Sequence, residues 1–200
     1  MTRTNDAVCE YNEELHKYFV GGVEKPSVTE IASPISFERI SALEANLLER
    51  ARRRGSRCHE LFEEYLLLGD IDAENVETEF LPYVKQFVLW AKSYRPKVLF
   101  TEKHLFSDEF CGTADLICLI DGKLVIVDYK VTSAVDKKSL SVQLEGYKRL
   151  CELLGLNIEE CWYLHIKKDS YVFKEISTDK EWFDILLCHN KKMRGKYDGK

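Results

Sequence analysis

The ten residues LVIVDYKVTS (124–133) read as a buried β-strand, yet an aspartate and a lysine, Asp128 and Lys130, sit in their middle. Charge in an apolar environment is costly unless it is paired, hydrogen-bonded or bound to a metal. The preceding stretch, EFCGTADLICLI (109–120), is also strand-like, and the two are separated by Asp121-Gly122, a strong hairpin signal. A two-residue loop pairs Ile120 with Lys123 and, counted outward, sets Asp115 opposite Asp128. Residues so placed have Cβ atoms about 4.5–5.5 Å apart, and like charges there repel. Asp128 and Lys130 share one face of their strand, because side chains alternate with period two. Two carboxylates and an ammonium therefore converge at one end of an apolar hairpin. A divalent cation would turn their repulsion into attraction, and paired hard oxygen ligands suit Mg²⁺ or Mn²⁺. The alternative is a slipped register that leaves both acids at solvated strand ends, with Lys130 as an ion-pair partner.

Outward from this hairpin, KVLFTEKHLFS (97–107) supplies a third strand, and KKSLSVQLEGYKRLCELLG (137–155) an amphipathic helix. ECWYLHIKK (160–168) and YVFKEIS (171–177) follow as strands, and DKEWFDILLCHNKKMRGK (179–196) as a last helix. Upstream, HKYFVGGVEKPSVTEI (16–31) predicts a hairpin around Gly21-Gly22. ISFERISALEANLLERARRR (35–54) has helical spacing at Phe37, Ile40, Leu43 and Leu47. Gly55 is expected to interrupt it before a second helical stretch, SRCHELFEEYLLLG (56–69). A third helix is expected in 74–96, with Pro82 at a break or first turn and Pro96 as its stop. The fold class is α/β, with a mixed sheet: hairpins are antiparallel, and a helical crossover permits a parallel strand. One domain of 1–200 is expected: an N-terminal hairpin and arm in 1–35, a helical region in 36–96 and an α/β core in 97–200.

The chain is long enough to bury a core, and its 45% hydrophobic and 32% charged content suits a water-soluble domain. No segment approaches a membrane span, and the first residues have no apolar signal-peptide core, so a cytoplasmic protein is expected. The seven cysteines form no C-x-x-C, which argues against a zinc ribbon or redox motif. The net charge of −5 argues against coating nucleic acid by bulk charge. Positive charge is nevertheless concentrated in RARRRGSR (50–57) and KKMRGKYDGK (191–200).

Several motifs in order resemble the PD-(D/E)XK nuclease superfamily, and within it the RecB-type group of phage and bacterial exonucleases. They are GTADLI (112–117), VDYK (127–130), QLEGY (143–147), RGSRCHELFEEYL (54–66) and KPSVTEI (25–31). The resemblance implies a restriction-endonuclease-like core: a helix, a three-stranded antiparallel sheet, a crossover helix and a further strand, here with extra N-terminal helices. It implies that His59, Asp115 and Asp128 bind Mg²⁺ or Mn²⁺, with the backbone carbonyl of Tyr129 as a further ligand. Lys130 would orient or activate the attacking water, and Gln143 and Tyr147 would shape the site and contact the substrate strand. Glu102 matches a glutamate of the group that reaches the metal through water; pairing with a base is the alternative. Arg52, Arg53, Arg54 and Arg57 flank His59 and are candidates for contact with the DNA backbone.

The activity implied is metal-dependent hydrolysis of DNA, by an exonuclease of phage or bacterial recombination or repair. The partners implied are DNA and a separate helicase or single-strand-binding or annealing protein; no motor motif G-x-x-x-x-G-K-[ST] occurs in the chain. No iron–sulfur cluster is expected, because Cys151, Cys161 and Cys188 are too dispersed. Two other readings stay open. One is a catalytically inactive nuclease-fold module that binds DNA or a partner. The other is a hydrolase of RNA or small phosphate esters, or a structure-specific endonuclease.

Overall fold

The computed structural model describes residues 8–35 and 42–197. The N-terminal segment folds as a three-stranded antiparallel sheet of β1 (Cys9–Asn12), β2 (Lys17–Val20) and β3 (Val23–Lys25). Gly21 and Gly22 both take positive φ in the turn between the last two strands. Ser27 then caps a short helix, α1 (Val28–Ala32), by accepting the backbone N–H of Glu30. Its Val28, Ile31 and Ala32 are buried.

Helix α2 (Ala42–Leu68) runs for 27 residues straight through Gly55. The break expected there is absent; Phe37 and Ile40 of the expected apolar stripe lie outside the described residues. One glycine in a helix interior costs only about 0.5–1 kcal/mol, less than the burial of Cys58, Leu61 and Phe62 in the following turns returns. A Cβ built on Gly55 meets nothing within 4 Å. Gly55→Ala is therefore expected to raise stability by about 0.5–1 kcal/mol. Thermal denaturation checks this, and a lowered Tm would contradict it.

Helix α3 (Leu81–Tyr94) holds Pro82 in its first turn and ends at Arg95 in the left-handed conformation, just before Pro96. After it come β4 (Lys97–Phe106), β5 (Cys111–Ile120) and β6 (Lys123–Lys130) as an antiparallel meander. Asp121 and Gly122 have φ of 51° and 84°, the pair of positive values that a type I′ hairpin turn requires. Helix α4 (Lys137–Leu153) is capped by Asp136, whose carboxylate accepts the N–H groups of Lys138 and Ser139. It crosses back to β7 (Glu160–Ile166), which pairs parallel with β6; β8 (Tyr171–Glu175) and α5 (Lys180–Tyr197) complete the chain. The five-stranded mixed sheet, in the order β4-β5-β6-β7-β8, has helices on both sides. This is the α/β architecture that the sequence predicts.

Each sheet face has its own core. Leu116, Cys118, Val125, Val127 and Tyr129 pack with α2 and α3 through Phe62, Phe87 and Trp90. Ala114, Ile117 and Ile126 pack with α1, α4 and α5 through Val28, Leu144 and Phe183. Trp90 is fully buried, so it belongs to the core. Two motif glycines permit close approach on the α4 side. A Cβ on Gly112 would lie 2.8 Å from a ring carbon of Tyr147, and one on Gly146 would lie 2.7 Å from Phe183 and 2.9 Å from Val28. None of the seven cysteines is in a disulfide.

Candidate metal centre

Strict alternation fails on β4 at the bulge between Val98 and Phe100, and again on β5 beside the ionisable residues. Ala114 and Leu116, two apart on β5, belong to opposite cores, so the strand switches faces at Asp115. On β4, the neighbouring irregularity is Glu102, with φ of 44°. The other three non-glycine residues with positive φ among those described are at His16 in the β1–β2 turn, at the end of α3 and in the type I′ turn. Glu102 alone is inside a strand, where a left-handed side-chain-bearing residue is uncommon and strained.

The β5–β6 ladder starts as expected with Ile120 opposite Lys123, but its last pair is Leu116 with Val127. Asp115 and Asp128 do not form the next rung. Instead the Asp115 carboxylate turns towards β6 and accepts the backbone N–H of Tyr129 at 2.6 Å. This hydrogen bond satisfies a donor that the ladder, ending at Leu116 and Val127, leaves without a backbone acceptor on β5. The two strands separate there, and the ionisable groups gather in the opening.

His59 reaches the opening from α2. Its Nδ1 is 3.1 Å from Glu102 Oε1 and 3.7 Å from Asp115 Oδ1. Its ring packs edge-on over Tyr129, centroids 5.5 Å apart, and beside Phe62. One ligand atom each from His59, Glu102 and Asp115 lie within 4.8 Å of one another. Asp128, also expected to hold the ion, lies beside these three. It is almost fully buried, with Oδ2 2.6 Å from Lys130 Nζ.

The electrostatics follow from crowding in a poorly hydrated site. Burial raises the Asp128 pKa to about 6; Lys130 opposes this and Asp115 adds to it. Burial likewise raises Asp115, against the pull of His59. For His59 burial acts downward, but the charge of Asp115 and the hydrogen bond and charge of Glu102 outweigh it and push its pKa up to about 9. Burial also acts downward on Lys130, and the charges of Asp128 and Asp115 leave its pKa raised. At neutral pH the protein thus holds protons on His59 and Lys130 where a cation would compensate the carboxylates.

The donor set suits a divalent ion: one imidazole and carboxylate oxygens that converge within 4.8 Å of one another. Cation binding needs the neutral imidazole, so it must expel a proton. Mg²⁺ or Mn²⁺ affinity is therefore expected to rise between pH 6 and pH 9, with proton release at pH 7.5. Calorimetry in buffers of different ionisation enthalpy measures both, and a flat pH profile would contradict them. The metal-free fold is expected to follow the matching trend. A raised histidine pKa stabilises the fold below its ordinary 6.5, and this contribution is lost as pH rises through about 9. The raised Asp128 pKa makes stability fall between its ordinary 3.8 and about 6.

The remaining candidates surround this cluster. Tyr147 is buried against Gly112, and Gln143, one turn earlier on α4, shares a cleft of about 790 Å³ with Lys130 and the start of α4. Gln143 Oε1 is buried without a hydrogen-bond partner among the described residues. The arginines divide. Arg54 donates to the Val131 carbonyl at 3.2 Å, and Arg57 is held by Glu60 and Glu77. Arg53 is exposed, 3.8 Å from Glu79. Arg52 is exposed, two helical turns before His59. His165 donates to the Thr132 carbonyl at 2.7 Å, a structural use. The sequence signal for Glu102 as a close member of the cluster was weak, because its reach depends on a backbone conformation that alternation does not predict.

No protein-family model matches the chain, and no curated protein is significantly similar to it. Among solved structures it is similar to an alkaline exonuclease, LHK-Exo, from Laribacter hongkongensis. That match has 13% identity and a TM-score of 0.42, over 87% of this chain and 93% of the other. It is also similar to a protein designated SSO0001, with 16% identity and a TM-score of 0.38, over 72% of this chain and 71% of that one. With scores this low, the functional reading rests on the chain's own residues. No helix among the described residues is long and apolar enough to cross a membrane.

Proposed function

We propose that the chain is a metal-dependent nuclease that hydrolyses DNA phosphodiester bonds as an exonuclease. The observation that carries this reading is the cluster of His59, Glu102, Asp115, Asp128 and Lys130 where β5 and β6 part. A structural role would favour fewer buried charges, since an apolar replacement of a buried ion pair is often neutral or stabilising.

In this reading His59, Glu102, Asp115 and Asp128 hold the ion, Mg²⁺ or Mn²⁺, with the Tyr129 carbonyl as a further ligand. When bound, such an ion supplies positive charge beside phosphoryl oxygens and acidifies water. Lys130 has a raised pKa, so at neutral pH it is an ammonium and not a general base. It stabilises negative charge on the attacking water or the phosphate and can donate a proton. The Asp128 contact aims the lysine. Gln143 and Tyr147 position the substrate strand from α4, and Arg52 meets the backbone outside the site.

The test is cleavage of end-labelled linear and circular DNA, single- and double-stranded, with Mg²⁺, Mn²⁺ or EDTA. Metal-dependent loss of label from linear DNA alone supports the reading. Cutting of circles makes it an endonuclease. DNA binding without cleavage under any condition overturns the enzymatic reading in favour of a binding module.

A further inference from the structure

The metal cluster opens into two clefts of contrasting chemistry. The cleft beside Lys130 is also lined by Thr132, Ser133, Lys137 and Ser139, and by Asp136, whose carboxylate caps α4, so it offers cations and hydroxyls with one acid. The second, of about 570 Å³, is lined by His59 and Glu102 on one side and the N-terminal sheet on the other. Its charged lining includes Glu13, Glu60 and Glu63, and none of its lining residues is lysine or arginine.

The wall of this second cleft is aromatic. Tyr11 lies over His104, centroids 4.4 Å apart, and over Tyr18 at 4.7 Å. The Tyr11 hydroxyl is 2.9 Å from His16 Nδ1, and His104 Nδ1 is 2.7 Å from the Thr113 hydroxyl. Tyr18 is buried and hydrogen-bonded to Thr113, which anchors the wall to β5. Tyr11 and His104 remain partly exposed within the cleft.

Away from His59, which belongs to the metal cluster, a phosphate finds no lysine or arginine in this lining, whereas a nucleobase finds aromatic faces to stack on and carboxylates to accept its amino hydrogens. We infer that the Tyr11–His104 wall is a stacking subsite for one unpaired nucleobase of the DNA strand whose backbone lies at the metal cluster. The inference rests on the nuclease reading and deepens it, because it makes the bound strand locally single-stranded.

The experiment scans a single-stranded oligonucleotide with one abasic site at each position in turn. Affinity for the wild-type protein is measured by fluorescence anisotropy, with Ca²⁺ replacing Mg²⁺. Loss of one particular base is expected to weaken binding about tenfold, as removal of a stacking partner does. That sensitivity is expected to persist in Tyr11→Phe and vanish in Tyr11→Ala. The wild-type scan decides independently of whether Tyr11→Ala folds. Tight binding with all abasic positions equivalent overturns the subsite and leaves the nuclease reading standing, as does undiminished sensitivity in a folded Tyr11→Ala. Failure to bind any single-stranded oligonucleotide overturns the subsite, and failure to bind a duplex as well overturns both.

Discussion

Asp115→Ala is expected to lose metal-dependent cleavage and also stability, whereas Asp115→Asn loses the cleavage alone. The two variants separate the two tasks of this side chain. As an anion near His59 and Glu102 it belongs to the candidate metal cluster. As an acceptor it satisfies the N–H of Tyr129, a residue only 2% exposed. Alanine leaves that donor without its partner, which costs about 1–3 kcal/mol, or several degrees of Tm for a chain of this size. Asparagine keeps a carbonyl oxygen for the N–H and removes a charge whose burial is unfavourable, so its metal-free Tm is expected to equal or exceed that of the wild type. Thermal denaturation in EDTA, beside a cleavage assay, reads both effects. Equal Tm values for the two variants would refute the structural role of the carboxylate.

Lys130→Ala is expected to slow hydrolysis by about 10²–10⁴-fold, the range for loss of a positioned proton-transfer or charge-stabilising group, while cation affinity is kept or increased. The second half follows from electrostatics. The ammonium lies 2.6 Å from Asp128 and competes with a cation for the same carboxylate charge. Removing it raises the local negative potential. Calorimetric titration with Mg²⁺ and a single-turnover cleavage assay make the comparison. A variant that loses cation affinity in parallel with activity would show that Lys130 organises the site instead of acting on the substrate.

Much of the fold follows from local rules that the chain obeys strictly. Asp121-Gly122 dictates a type I′ turn and with it the register of β5 and β6 as far as Leu116 and Val127. The α4 crossover after β6 brings β7 in parallel. What local rules do not show is where they are broken. Period-two alternation sets Asp115 against Asp128, but β5 switches faces at Asp115, so this carboxylate binds a backbone donor instead. The left-handed backbone at Glu102 likewise brings its carboxylate into the cluster with His59. Gly55 reads as a break only if propensity is weighed without the packing of the turns that follow it. The arginines near His59 look alike in sequence. Their division depends on Glu77, Glu79 and the Val131 carbonyl, which arrive from segments distant along the chain.

The backbone of Glu102 sets stability against activity at a single position. A left-handed conformation costs a side-chain-bearing residue about 1–2 kcal/mol, and glycine would adopt it without that penalty. Glu102→Gly is therefore expected to relieve the strain of β4 while removing a carboxylate from beside His59. A variant selected only for thermostability would drift towards such a change. Retaining glutamate at this backbone position means accepting a less stable strand to keep an anion within reach of the imidazole.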